Sequence, residues 1–109
     1  MKRGEIWAIA GGADYAGKPR PAIALQSDAF DATLSVTICP LTSIAVDTVY
    51  ARLALAPSEK NGLNVTSYAM VDKITTISRS KVGQHIGSLD AAELAALNQR
   101  VVLFLGLVE

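Results

Sequence analysis

The chain has few of the side chains that do most acid–base chemistry: one histidine, one cysteine and one tryptophan among 109 residues. A ribonuclease working with two histidines is excluded by count. A single cysteine leaves no disulfide framework and fits a reducing compartment. Within the apolar run Val36-Thr37-Ile38-Cys39 it reads as a small buried hydrophobe. Clustered carboxylates are missing too: Asp14, Asp28, Asp31, Asp47 and Asp72 are scattered, without the Asp-x-Asp type of spacing that gathers a metal. Neither sign of charge dominates. Ten Lys and Arg balance ten Asp and Glu, so any anion site must be a local cluster rather than a whole-molecule field. Long apolar runs are also absent. After Met1-Lys2-Arg3-Gly4-Glu5 only Ile6 to Ala10 precede a glycine pair, too short for a secretory h-region or a membrane span, and a cytoplasmic protein is the expectation.

Apolar residues, by contrast, make up 50% of the chain and charged ones only 18%. One domain over residues 1–109 is expected, burying roughly two thirds of its unfolded surface. So high an apolar fraction in so small a domain points to apolar surface at a subunit interface, hence a homodimer. Ile6 to Ala10 reads as a first strand, Gly11 to Gly17 as a loop and Pro21 to Gln26 as a second strand. Ser27 to Asp31 reads as a turn or short helix, Leu34 to Pro40 as a third strand and Ser43 to Asp47 as a loop. Val49 to Leu55 fits a fourth strand ending at the reversal Asn61-Gly62. Ser67 to Ile77 holds one or two more, Ser78 to Lys81 a single turn, and His85 to Gly87 a last short strand. A C-terminal helix is marked by Asp90 as N-cap, Glu93 three residues on, and a stripe at Leu94, Leu97, Val101, Phe104, Leu105 and Val108. Five or more short strands and one helix, with no repeated β-helix-β spacing, argue for a mainly β (α+β) fold: a small antiparallel barrel flanked by that helix.

Two strand ends carry chemistry. In Lys18-Pro19-Arg20-Pro21 both cations precede proline, which steers them to extended backbone and lowers the entropy lost on fixing Arg20. Arginine is a permanent cation whose planar fork suits phosphate. Pro40-Leu41-Thr42-Ser43 offers two hydroxyl donors. Taken alone, Arg20 also reads as a surface arginine at a strand entry, and Thr42-Ser43 as turn formers.

Together these segments resemble the MazF/PemK toxin family. The resemblance rests on Arg3-Gly4-Glu5-Ile6-Trp7, on Arg20-Pro21 with the strand running to Gln26-Ser27-Asp28, and on Pro40-Leu41-Thr42-Ser43. Val71-Asp72-Lys73-Ile74-Thr75-Thr76-Ile77, then Val82-Gly83 and Ile86-Gly87-Ser88-Leu89, follow in the same order, so the likeness covers nearly the whole chain. It implies an SH3-like barrel with a C-terminal helix. It further implies a homodimeric endoribonuclease that needs no metal or other cofactor, cuts single-stranded mRNA at short sequences and is inhibited by a cognate antitoxin. The family's catalytic pair falls on Arg20 and Thr42, and the implied products carry a 2′,3′-cyclic phosphate and a 5′-hydroxyl.

Around that pair, Tyr15, Lys18, Ser43 and Lys73 are the expected substrate-binding residues, with Tyr15 placed in the glycine loop to stack on a base or contact the antitoxin. Arg79 and Lys81 read as a solvated face, His85 as an exposed or capping side chain, Trp7 as core or interface, and Asp72 as a structural acceptor. The chain departs from the family pattern in a short first loop and in Asp72-Lys73-Ile74-Thr75, where many members carry Asp-Gln-Ile-Arg. Two other readings share the fold: a non-enzymatic gyrase poison of the CcdB type, and an inactive SH3-like protein-binding module.

Overall fold

A computed structural model describes residues 1–11, 18–46 and 51–108. Among them run β1 (Glu5–Ile9), β2 (Arg20–Ala24), β3 (Ser35–Thr42), β4 (Leu53–Leu55), β5 (Ser67–Ala69), β6 (Thr75–Ser78), β7 (Val82–Ser88) and α1 (Ala91–Leu105). All pairings are antiparallel, in the order β4-β5-β3-β2-β1-β7, with β6 alongside β3. β3 is the pivot. Its first half, Ser35 to Ile38, pairs with β6, whereas Leu41 and Thr42 pair with β5. Pro40 sits at the changeover: it has no N–H to give a ladder, and its carbonyl accepts from Met70 N at 2.9 Å. The sheet thereby folds over into an antiparallel half-barrel.

Both faces of the central strands are covered, which is why β2 and β3 read as apolar almost throughout. On the inner face Ile6, Ile23, Cys39, Leu41, Leu55, Val71, Leu89 and Leu97 form the main core. The opposite face carries a smaller cluster of Ile9, Ala22, Val36 and Ile38, against which Met1, Trp7, Ile77 and Val82 pack. α1 begins with the expected capping box, Glu93 N donating to Asp90 Oδ1 at 2.7 Å and Asp90 N to Glu93 Oε1 at 2.9 Å. Only the first half of its apolar stripe reaches the core. Leu97 is buried and Leu94 and Val101 pack against the core, while Phe104 and Leu105 are exposed. Gly106, at φ 68°, closes the helix, so Val108 lies outside it and exposed.

The Arg-Gly start is architectural. Arg3 N donates to Asp28 Oδ1 at 2.7 Å, its Nε to the Leu25 carbonyl at 2.8 Å and its Nη2 to Asn98 Oδ1 at 2.8 Å, tying the entry of β1 to the loop after β2 and to α1. Several expected bounds shift. β3 runs on through Thr42 because β5 offers it a partner; the last strand spans seven residues because β1 pairs with it from Glu5 to Ile9. Residues 67–77 divide into β5 and β6 around a 3-10 turn at Val71–Lys73. Of the expected fourth strand only Leu53–Leu55 is strand; its first two residues lie outside the described ones.

Candidate active-site cleft

Arg20 opens β2 opposite Ile9 of β1, with exposed Lys18 and Pro19 before it. β2 and β3 pair as Ala22 with Pro40 and Ile23 with Cys39. Two residues further along each strand stand Arg20 and Thr42, at the same end of neighbouring strands. Side chains alternate across a sheet, so both share the face that carries Ala22, Ile38 and Pro40. Thr42 is half-buried, and its Oγ1 accepts from Ile44 N at 3.2 Å, a bond that leaves the hydroxyl hydrogen available to a ligand.

A shallow cleft of about 160 Å³ opens on this face. Its floor is apolar, made by Ile9, Ala22, Ile38, Pro40 and Ile77, and its polar groups are Arg20, Thr75 and Lys81. An exposed cation over an apolar floor suits a small anionic group, since its attraction is weakened less there than in open water. Below the roughly 300 Å³ at which small-ligand pockets begin, the cleft has the size for a phosphate group rather than a whole nucleotide. Among the described residues, no three His, Cys, Asp or Glu side chains gather in a way that would hold a metal ion.

The sequence-based expectations are distributed as follows. Arg20 lines the cleft, and Thr42 shares its strand end and face. Lys18 is exposed immediately before it, and Ser43 is exposed just beyond Thr42. Lys73 is exposed on the 3-10 turn Val71–Lys73, outside the cleft lining. Tyr15 lies outside the described residues. Lys81, expected on a solvated face, instead lines the cleft, because the 3-10 turn Arg79–Lys81 folds against β1 and Ala10 N donates to the Lys81 carbonyl at 2.8 Å. Thr75 is a further lining residue that sequence reasoning left out of the site; the register Ile38 with Thr75 places it there, and nothing local in the sequence announces that pairing. Arg79 does not face the cleft: its N donates to the Leu34 carbonyl at 3.0 Å and its Nε to the Thr33 carbonyl, tying down the loop before β3.

Asp72 is a structural acceptor, and its partner is Arg52. The guanidinium reaches both carboxylate oxygens, Nε to Oδ1 at 2.9 Å and Nη2 to Oδ2 at 3.0 Å, with the side chains only 9% and 19% exposed. The hydrogen bonds from Arg52 hold the Asp72 carboxyl below the usual carboxylate range, and the same bonds push the Arg52 guanidinium up. Arg100 Nη1 donates to the Arg52 carbonyl at 3.2 Å, carrying the contact into α1. Buried Cys39 has its thiol pushed up to about 12 by burial and by nearby Asp72, so it is an inert core thiol.

On the far side of the same sheet face, the Trp7 indole donates to Glu5 Oε1 at 3.3 Å and lies edge-on to His85 with ring centres 5.0 Å apart. His85 Nε2 stands 3.4 Å from Glu5 Oε2. Burial pushes the Glu5 carboxyl up, but the Lys2 N–H, the indole N–H and His85 outweigh it and hold the group below its ordinary value.

The chain is similar along nearly its whole length to known proteins. The family model described as the PemK-like, MazF-like toxin of type II toxin-antitoxin systems matches residues 2–105. The chain belongs to this toxin family. Over 107 residues it is 37% identical to a probable endoribonuclease MazF of Mycolicibacterium smegmatis, covering 98% of both chains. It is 33% identical over 117 residues to endoribonuclease MazF9 of Mycobacterium tuberculosis, again covering 98% of each. Among solved structures, a mycobacterial endoribonuclease in complex with its cognate antitoxin superimposes with a TM-score of 0.84 at 23% identity, covering 100% of this chain and 98% of that one. The half-barrel with its C-terminal helix is therefore the MazF toxin fold, with Arg20 and Thr42 at one strand end. No helix among the described residues is long and apolar enough to cross a membrane.

Proposed function

We propose that this toxin is a metal-independent endoribonuclease that cuts single-stranded mRNA in the cytoplasm as a homodimer, restrained by a cognate antitoxin, with Arg20 and Thr42 as its catalytic pair. The observation that carries this reading is the placing of an arginine and a threonine hydroxyl at one end of adjacent strands, on one face, beside a phosphate-sized cleft. The two relatives, at 37% and 33% identity, are named as endoribonucleases.

In the reaction the ribose 2′-oxygen forms a bond to phosphorus while the bond from phosphorus to the 5′-oxygen breaks. The 2′-hydroxyl loses a proton and the departing 5′-oxygen gains one, which leaves a 2′,3′-cyclic phosphate and a 5′-hydroxyl. Negative charge builds on the non-bridging oxygens in between. The Arg20 fork binds those oxygens, and its charge-assisted hydrogen bonds strengthen as the charge grows, so the transition state is favoured over the bound substrate. Thr42 donates its hydroxyl hydrogen to the same phosphate. Lys81, which also lines the cleft, adds a second cation. Proline on either side of Arg20 holds the backbone extended before RNA arrives, which lowers the ordering cost of that contact.

The test is to incubate the purified protein with a long unstructured RNA in excess chelator and to determine the chemistry of the new ends. Cleavage leaving 5′-hydroxyl and 2′,3′-cyclic phosphate ends is expected. Intact RNA, together with inhibition of gyrase by the same preparation, would establish the non-enzymatic reading instead.

A further inference from the structure

A second cleft, of about 390 Å³, adjoins the first. It is lined by Ala8, Ala10, Pro19, Ser80, Lys81, Val82, Gly83 and Gln84, and it shares the Ala10 and Lys81 wall with the Arg20 cleft. Resting on the function proposed above, we infer that this second cleft takes the base of the nucleotide next to the scissile phosphate, with Lys81 on the backbone between the two clefts and Gln84 reading the base edge.

Size separates the two clefts first. The Arg20 cleft falls below the roughly 300–1,000 Å³ range of small-ligand sites and the second falls inside it, so the pair matches a phosphate followed by a nucleoside. Their chemistry follows the same division. The second cleft has apolar walls from Ala8, Ala10, Pro19 and Val82, suited to the flat faces of an unstacked base. Two of its lining residues, Lys81 and Gln84, carry polar side chains without a protein partner among the described residues. A primary amide presents a donor and an acceptor side by side and so pairs with a base edge that does the same. Ser80 is less available, since its hydroxyl is bonded to Ser78 Oγ at 2.9 Å. Among the described lining residues neither cleft has a carboxylate, which favours an anionic chain across Lys81. Gly83 keeps the wall thin: a Cβ there would sit 3.2 Å from the Ala8 carbonyl oxygen, so even alanine would press on β1.

The experiment maps cleavage positions by end sequencing on a pool of randomised single-stranded RNAs, with wild type, Gln84→Ala, Gln84→Glu, Lys81→Ala and Arg20→Ala run side by side. Gln84 is exposed, so its variants are expected to keep the wild-type circular dichroism spectrum and melting temperature. Gln84→Ala is expected to lower base discrimination at a single position beside the cut by about tenfold. Gln84→Glu, which removes the donor, is expected to change which base is preferred there. Lys81→Ala should slow cleavage of all sequences alike and make the slope of log rate against log salt shallower by about one. Unchanged base preference in both Gln84 variants, with Arg20→Ala inactive, would overturn this inference and leave the catalytic assignment standing. Loss of antitoxin binding in those variants, with cleavage preference unchanged, would overturn it in favour of a peptide occupant. Wild-type cleavage rates in Arg20→Ala would overturn the catalytic assignment, and this inference with it.

Discussion

Residue by residue, the charges of this toxin divide into those locked into the fold and those facing the cleft. Asp72 belongs to the first kind, its carboxylate held by the Arg52 fork and its carboxyl lowered as a result. A carboxyl lowered on folding contributes stability that is present above its unfolded value, near pH 4, and is lost as pH falls through the lower folded value. Asp72→Asn should therefore be less stable than wild type at neutral pH, and the gap should close as pH falls below about 4. Urea midpoints at pH 7 and in acid check this; a constant gap would exclude Arg52–Asp72 as the source. Cys39 makes a second case, its thiol at about 12 inside the main core. It should stay unreactive to a thiol reagent at pH 8 in the native protein and react at once in denaturant, a difference read by absorbance. The strand start at Arg20 was legible in the sequence because two prolines frame it. The Arg52–Asp72 pair was not, because the two lie 20 residues apart and the pairing of β4 with β5, which leads into the Val71–Lys73 turn, brings them together.

Among the elements, β3 decides where Thr42 lies. Thr42 had read as a residue following its strand, yet it ends β3 paired with Tyr68. Local pattern suggested a stop at Pro40; the neighbouring β5 carried the strand onward, a non-local effect that no window of sequence contains. The helix was readable in full at its start, where Asp90 and Glu93 act within four residues, and less so at its end, where exposure depends on how far the sheet extends. The Asn61-Gly62 reversal was visible as a turn but not as a buried anchor. Asn61 is wholly buried, accepting from Ser58 N at 2.9 Å and Leu63 N at 3.0 Å while donating to the Ala56 carbonyl at 2.8 Å and Glu93 Oε2 at 3.2 Å. Asn61→Ala orphans the buried Leu63 N–H and the part-buried Ser58 N–H and should cost about 2–4 kcal/mol of unfolding free energy. A denaturant titration within 0.5 kcal/mol of wild type would contradict that role.

For the whole molecule, the end of α1 leaves a run of apolar side chains uncovered. Leu103, Phe104, Leu105, Leu107 and Val108 are 46% to 81% exposed at the end of α1. Such a concentration of apolar surface matches the homodimer expected from composition. Light scattering at micromolar concentration should give twice the 11.5 kDa chain mass, and Phe104→Glu should shift the population toward monomer. A wild-type monomer would contradict the dimer. Net charge is zero, so under the proposed function RNA affinity would come from local cations, with Arg20 and Lys81 lining the clefts, rather than from the overall field.

The central claim is that the charge of Arg20 stabilises the phosphate as its bond to the 5′-oxygen breaks, and single-turnover cleavage of one short RNA by wild type and Arg20→Ala tests it most directly. Arg20 is exposed, so the variant should fold and melt as wild type does. Its cleavage rate should fall by roughly 100-fold or more. A folded variant that cuts within a few-fold of the wild-type rate would contradict the account.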